Sequence, residues 1–173
     1  LNVRSQIDQD ILENAIETLV NAKRVEFYAF GGSAPVAMDG QHKFFRLKIP
    51  SSYISDPHLQ FMSANSLERD DVVVAISQSG TTTALIESVK IVRKNGAKVI
   101  GIMPGETPLA NICDFPLTIN VGINNRISKP VTSRIAYTAV IDVLTMGVAQ
   151  LKPEAQDHLY NIADSQRSLK IDN

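Results

Sequence analysis

The sequence predicts a three-layer α/β domain, an αβα sandwich around a five-stranded parallel sheet. Strand-like apolar segments alternate with helix-like amphipathic segments along the chain, as in proteins with helices on both faces of a sheet. The run Val72–Ile76 is uninterrupted by any polar residue, which is typical of a central strand covered on both faces. At 173 residues and 44% hydrophobic composition, the chain is expected to form one domain, residues 1–173, around a full core.

The first half of the chain contains three predicted strands. Apolar residues recur at three- and four-residue spacing in the first segment, which predicts a helix, and Gly31-Gly32 ends the strand that follows. Ser33 is expected to cap the next helix, with Pro35 in its first turn. The predicted elements are a helix from Ile7 to Val20, a strand at Arg24–Phe30, a helix from Ser33 to about Leu47, a strand at Ile49–Ile54, a short helix opened by Asp56-Pro57, and a strand at Asp71–Ile76.

The second half continues the alternation. Gly96 supplies a left-handed cap for one helix, and Pro104-Gly105 ends the fourth strand. The predicted elements are a helix at Thr83–Asn95, a strand at Val99–Met103, a short turn of helix at Leu109–Ile112, a strand at Phe115–Val121, an irregular loop at Gly122–Pro130, a long helix at Val131–Gln150, and an amphipathic helix from Pro153. Each crossover between parallel strands is expected to be right-handed.

Composition excludes several classes of protein. The chain has 17 Lys and Arg against 18 Asp and Glu, and this balance argues against a stand-alone nucleic-acid binder. The single cysteine, Cys113, excludes an internal disulfide, and we expect a cytoplasmic protein. Ile135–Leu151 is apolar but carries Asp142 and Gln150, so we expect a buried helix and no membrane partner. The three histidines are scattered, and no metal or cofactor is expected.

Two loops carry the residues of chemical interest, and each follows a predicted strand. The glycine loop is Gly31-Gly32-Ser33-Ala34, and the serine loop is Ser77-Gln78-Ser79-Gly80-Thr81-Thr82. Glycine lets the backbone approach a ligand, and amides at a helix N-terminus favour an anion such as phosphate. Hydroxyl groups of Ser77, Ser79 and Thr82 can donate to phosphate oxygens, while Ser33 and Gln78 can reach an attached sugar.

Topology favours a shared site for the two loops. In an open α/β sheet, ligands bind where the strand order reverses, beyond the carboxyl ends of the strands. With the order 2-1-3-4-5, the reversal lies between the strands that precede these loops. Either loop alone is equally consistent with ordinary helix capping or a turn, but together they favour binding. The sequence lacks G-x-x-x-x-G-K-[ST], so a nucleotide P-loop is not supported.

The serine loop resembles the S-x-S-G-x-T signature of sugar isomerase (SIS) domains, which bind phosphosugars. Other segments resemble the effector domains of RpiR-type transcriptional regulators, especially hexose-metabolism repressors. The similarity covers at least Lys23 to Gln150, and the segments that carry it are Arg24–Phe30, Gln41–Leu47, Ser55–Gln60, Thr132–Ala136 and Ile141–Leu144.

The resemblance implies a flavodoxin-like strand order of 2-1-3-4-5, dimerisation, and an effector such as 2-keto-3-deoxy-6-phosphogluconate. By motif position, Ser33, Ser77, Ser79 and Thr82 would hold the phosphosugar, with Gln78 nearby. Family members place a helix-turn-helix domain before the SIS domain, and we expect this domain to be absent from the chain. The resemblance then implies that DNA is contacted only by the helix-turn-helix domain. Relatives commonly have G-x-G-S-S in the glycine loop, and Gly32 here replaces the first serine.

An aldose–ketose isomerase needs a base to move a proton between two carbons. The segment 120–130 contains no carboxylate, and Asp142 is expected to be buried in a capping or interface role. We therefore expect a sensor rather than an enzyme, with Lys129, Ser133 and Arg134 as secondary ligand contacts, although solvation or interface pairing accounts for these equally well. The alternatives are an isomerase whose base is Glu87, His42, His58 or a residue of a partner subunit, and a dimerisation scaffold with a vestigial pocket.

Overall fold

Five parallel strands form one sheet in the order β2-β1-β3-β4-β5 in the computed structural model, which describes residues 2–122 and 128–167. The strands are β1 (Arg24–Ala29), β2 (Ser51–Ile54), β3 (Asp71–Ile76), β4 (Lys98–Met103) and β5 (Phe115–Thr118). The helices are α1 (Gln9–Val20), α2 (Ala34–Arg46), α3 (Pro57–Ser66), α4 (Thr83–Lys94), α5 (Ser128–Leu151) and α6 (Pro153–Arg167), with 3₁₀ turns at Gly31–Ser33 and Ala110–Ile112. The predicted strand order is confirmed.

Strand β3 shows how the sheet separates two cores. Its alternate residues Val72, Val74 and Ile76 join buried residues of α1, α2, α5 and α6 in one core. Val73 and Ala75 join buried residues of α3 and α4 in the other core. Since successive side chains of a strand point to opposite faces, this division confirms the predicted three-layer sandwich.

Strand β1 ends one residue earlier than predicted, and β2 and β5 are shorter by two and three residues because nearby groups take their backbone hydrogen bonds. The Ile49 N–H donates to the Phe44 carbonyl at the end of α2, so β2 begins at Ser51 rather than at Ile49. After Thr118, the Asn120 N–H donates to the Gln6 side chain at 2.7 Å instead of to a neighbouring strand, so β5 does not reach Val121.

Helix α5 corrects the expected burial of Asp142. Buried residues of α5 recur at helical spacing, and Asp142 lies outside that stripe with 56% of its side chain exposed. It forms an ion pair with Lys43 of α2. By length and composition α5 would also fit a membrane span, but one side of the helix belongs to the core. The other side exposes Ile135, Val143 and Met146, so only one face of this helix is buried.

The packing around β4 depends on the small size of Gly101. A Cβ atom at this position would lie 2.6 Å from Cys113 Sγ and would overlap the terminal methyl of Met103. We predict that Gly101→Ala lowers the free energy of unfolding by about 1–3 kcal/mol, the usual cost of an overpacked core. Urea denaturation measures the change.

Gly122→Ala is the matched control, since no described atom lies within 4 Å of an added Cβ there. Equal denaturation midpoints for the two variants would contradict the packing described for β4.

Candidate functional site

A cavity of about 300 Å³ lies at the carboxyl ends of β1 and β3. Its volume is at the lower end of the range for small-molecule sites. The residues that line it are Phe30, Gly32, Ser33, Ile76, Ser77, Gln78, Ser79, Thr82 and Leu85. The structure therefore brings together six of the residues predicted from the two loops.

The sheet register places the two loops side by side. Ala29, the last residue of β1, pairs with Ile76, the last residue of β3. The glycine loop and the serine loop therefore leave the sheet at the same level. Strand β2 lies on the other side of β1, and β4 lies on the other side of β3, so the cavity occupies the point where the strand order reverses, as open α/β sheets lead one to expect.

The serine loop is fixed by bonds that leave its hydroxyl protons free. Ser77 is 5% exposed, its N–H donates to the Ile102 carbonyl at 3.0 Å, and its Oγ accepts from the Gly80 N–H at 3.0 Å. Ser79 Oγ accepts from the Thr81 N–H at 3.2 Å. A hydroxyl oxygen that accepts a backbone N–H retains its own proton for donation. Two loop amides expected to face the ligand are thus occupied, and two oriented hydroxyls can serve in their place.

Gly80 and Thr81 shape the loop without lining the cavity. Gly80 has φ +64°, and an added Cβ would overlap the Thr107 side chain. Glycine is required there because the left-handed backbone and the close contact both disfavour a side chain. The Thr81 N–H is occupied by Ser79. Neither residue is among those that line the cavity, and their predicted contact with a ligand stays a prediction.

Helices α2 and α4 begin at the cavity without side-chain caps. Ser33 and Thr82 occupy their N-cap positions, and neither side chain accepts a bond from the first turn. Helices α1 and α3 differ, since Asp8 and Asp56 cap them at 3.0 and 2.9 Å. Uncapped first-turn amides and the positive end of the helix dipole attract an anion. Both uncapped helix ends border the same cavity.

Ser33 corrects the expectation of a serine cap on α2. The turn Gly31–Ser33 gives Ser33 φ −88° and ψ −16°, which is helical backbone, whereas capping residues are usually extended. Ser33 is instead one of the residues that line the cavity. Gly31, with φ +51°, forms the turn but does not line the cavity, and Gly32 lines it with open space where a Cβ would be.

The lining differs from the predicted site in its apolar part. Phe30, Ile76 and Leu85 line the cavity beside the polar groups, and sequence reasoning missed them. Their positions could have been identified, since they flank the two loops at strand ends and in the first turn of α4. Among the described residues no carboxylate, imidazole or cation lines the cavity, and the isomerase candidates Glu87, His42 and His58 lie outside its lining.

Two of the three predicted secondary contacts on α5 are not part of this lining. Helix α5 contacts the Gly31–Ser33 turn, but Ser133 is 2% exposed and Arg134 points to solvent, and neither lines the cavity. Lys129 falls in the first turn of α5, and its side chain lies outside the part of the chain that the structure describes.

Two bacterial transcriptional regulators are similar in sequence to most of this chain. It is 35% identical over 172 residues to the HTH-type transcriptional regulator HexR of Escherichia coli, with coverage of 99% of this chain and 60% of the relative. It is 36% identical over 160 residues to HexR of Pseudomonas aeruginosa, with coverage of 92% and 56%. The chain thus spans a little under two thirds of the length of these relatives.

Solved structures share the fold. The Vibrio vulnificus NanR protein complexed with ManNAc-6P has a TM-score of 0.90 at 21% identity, with coverage of 99% of this chain and 65% of that chain. A proposed sugar-phosphate isomerase from Listeria monocytogenes has a TM-score of 0.82 at 16% identity, with coverage of 93% and 86%. The fold therefore occurs both in a protein solved with ManNAc-6P and in a proposed sugar-phosphate isomerase.

The family assignment rests on sequence as well as fold. The profile of the SIS domain matches residues 18–147, which include both loops and the whole sheet. The strand order, the two loops at its reversal and the HexR relatives agree with that match. The chain belongs to the SIS domain family.

Proposed function

We propose that this chain is the sugar-phosphate-sensing effector domain of a transcriptional regulator. The observation that carries the proposal is the convergence of serine and threonine hydroxyls and two uncapped helix N-termini on one cavity without an acid–base group among the described lining residues. Such a site can bind a phosphate ester but offers no residue to move a proton. Relatives named as transcriptional regulators support the same function.

In this proposal the phosphate lies at the serine loop. Ser77, Ser79 and Thr82 donate hydroxyl protons, and the first-turn amides of α4 face the same anion. Ser33, Gln78 and the backbone at Gly32, which line the same cavity, contact the sugar. Phe30 and Leu85 contact its apolar side. The arrangement supports a small phosphorylated sugar, which matches the cavity in size and polarity.

The specific effector that we propose is 2-keto-3-deoxy-6-phosphogluconate or a similar sugar-acid phosphate. The similarity to HexR regulators supports this choice. A sugar acid carries a carboxylate besides its phosphate, and the cavity lining supplies no described cation for it. Lys129 and Arg134, on the first turns of α5 with Ser133 between them, are the cations that we propose for this second group.

We propose that the regulator acts as a cytoplasmic homodimer whose DNA-binding domain lies outside this chain. The chain matches 60% and 56% of two helix-turn-helix regulators, and its net charge of −1 does not favour direct contact with DNA. Effector binding would bias the geometry of the dimer through unequal affinity for two states.

A phosphosugar isomerase is the second candidate. The fold shared with a proposed isomerase favours it. Its base would have to come from outside the described cavity lining, either from a rearranged Glu87, His42 or His58 or from a partner subunit. The two candidates differ in whether the bound sugar exchanges a carbon-bound proton.

A ligand panel tests the proposed function. We predict that 2-keto-3-deoxy-6-phosphogluconate, or another sugar phosphate such as glucose 6-phosphate or 6-phosphogluconate, stabilises the chain by about 2.7 kcal/mol at 100 times its Kd. Differential scanning fluorimetry should register this as a rise in Tm of about 5–10 °C. Gluconate and glucose are the unphosphorylated controls. No stabilisation by any phosphorylated member would contradict a sensor and favour a scaffold.

Two serine variants test the assignment of the phosphate site. We predict that Ser77→Ala and Ser79→Ala each weaken sugar-phosphate binding by about 1–3 kcal/mol, since each removes an oriented donor to a charged group. Isothermal titration calorimetry measures the loss. Ser66→Ala is the matched control, because Ser66 is exposed on α3 and its hydroxyl donates only to the Met62 carbonyl. Unchanged affinity in both loop variants would exclude the serine loop from the site.

Deuterium exchange separates a sensor from an isomerase. The chain is incubated in D₂O with the sugar phosphate that it binds. We predict that the sugar gains deuterium at the carbon next to its carbonyl no faster than it does in buffer without protein. Proton NMR of the sugar follows the exchange. Catalysed incorporation that is lost in Glu87→Gln, His42→Gln or His58→Gln would overturn the sensor in favour of the enzyme.

A further inference from the structure

The connection between β4 and β5 (Pro104–Asp114) contacts the serine loop from behind. The Leu109 N–H donates to the Gly80 carbonyl at 3.1 Å. The Thr107 side chain fills the space beside Gly80 that a Cβ would need. Thr107 is 9% exposed, so this contact is buried. The position of the serine loop therefore depends on the position of the β4–β5 connection.

Thr107 also fixes the shape of the connection. Its Oγ1 donates to the Pro104 carbonyl at 3.1 Å and accepts from the Ala110 N–H at 3.3 Å. Its Oγ1, Cβ and methyl group all lie within 2.7 Å of the place that a Gly80 Cβ would occupy. The hydroxyl thus orders the turn, and the whole side chain packs beside Gly80 of the serine loop.

The connection is joined to the N-terminal segment (Asn2–Asp8) by a short series of hydrogen bonds. The Gly105 N–H donates to Asn120 Oδ1 at 3.1 Å, and the Asn120 N–H donates to Gln6 Oε1 at 2.7 Å. Gln6 Nε2 in turn donates to the Asn2 carbonyl at 3.2 Å. None of these bonds belongs to a helix or to the sheet, and the Gln6–Asn120 bond joins residues 114 apart in the sequence.

We propose that Thr107 is a positioning residue of the sugar-phosphate site and that the β4–β5 connection couples this site to the N-terminal segment through Asn120 and Gln6. The ligand half of this inference rests on the function proposed above. A binding loop held in its bound geometry loses less conformational freedom when the ligand arrives, so contacts that hold the connection strengthen binding. Because coupling is reciprocal, occupancy of the cavity also stabilises the N-terminal segment, where the DNA-binding domain of our proposal would be joined.

A series of neighbouring contacts does not by itself establish energetic coupling between its ends, so the test measures the coupling directly. The first readout needs no ligand. It is the rate of hydrogen exchange of the Gly80 amide, measured by NMR, and this N–H donates to Ser77 Oγ. We expect Gln6→Ala to speed this exchange by about fivefold or more, the lower range of allosteric coupling. Gln9→Ala is the matched control, since the Gln9 side chain bonds only to Glu13 of its own helix. Unchanged Gly80 exchange in Gln6→Ala overturns the coupling.

The second readout is the Kd of 2-keto-3-deoxy-6-phosphogluconate and of inorganic phosphate by calorimetry. We expect about a fivefold rise for Gln6→Ala and about a tenfold rise for Thr107→Val, which keeps the shape and removes the hydroxyl. Thr107→Ser retains both hydrogen bonds and should recover most of the affinity. The double variant Gln6→Ala/Thr107→Val should lose less than the product of the single losses, because both act through one connection.

The outcomes separate the two proposals. A wild-type chain that binds neither probe, while Gly80 exchange still responds to Gln6→Ala, contradicts the proposed function and supports the coupling. Normal binding with multiplicative effects of the two substitutions, or with none from Gln6→Ala, overturns the coupling and leaves the function intact. Since Gln6 is near the surface, its variant is expected to fold even if Thr107→Val does not.

Discussion

The parallel pairing of β1 with β3 is the constraint on which the site depends. Ala29 and Ile76 end their strands in register, so two loops that are more than 40 residues apart in sequence start at the same height on neighbouring strands. Every residue of β3 is buried, and a shift of register by one residue would exchange the faces of these side chains. The hydrophobic core therefore fixes the distance between the two loops, and the loops need only supply polar groups.

In our proposal the site attracts an anion although its described lining contains no cation. Two of the helices that surround the sheet begin with aspartate caps, and the two that begin at the cavity lack side-chain caps. A capping carboxylate there would occupy the amides and oppose a phosphate, so its absence from α2 and α4 leaves donors for a ligand. Ser77 and Ser79 contribute in a second way, because their oxygens hold the loop while their protons remain for a ligand. The same two side chains thus shape the turn and provide donors to a ligand.

Most of the fold could be predicted from the sequence because its patterns are local. The unbroken apolar run of β3 and the periodicity of the helices locate the elements, and the glycine and serine loops identify the strand ends that border the cavity. Two predictions were wrong for reasons that a pattern does not contain. Ser33 fails to cap α2 because a 3₁₀ turn gives it helical backbone. Asp142 was expected to be buried because α5 is apolar in composition, but composition does not show which face of a helix meets the core, and the Asp142 side chain is exposed.

The apolar lining and the support behind the serine loop depend on tertiary contacts. Thr107 lies in an unremarkable turn sequence, and only the folded chain shows that its side chain fills the space beside Gly80. The bond between Gln6 and Asn120 likewise has no sequence motif. In our proposal such residues position the site without carrying its chemistry, and they are identified only from the structure.

We propose that hydroxyls of the serine loop and the uncapped end of α4 hold one phosphate. A crystal structure of the chain with a bound sugar phosphate would show this arrangement. We expect phosphate oxygens within hydrogen-bond distance of Ser77 Oγ, Ser79 Oγ and the first-turn amides of α4. A phosphate bound elsewhere, with the serine loop and both helix ends facing only solvent, would contradict it.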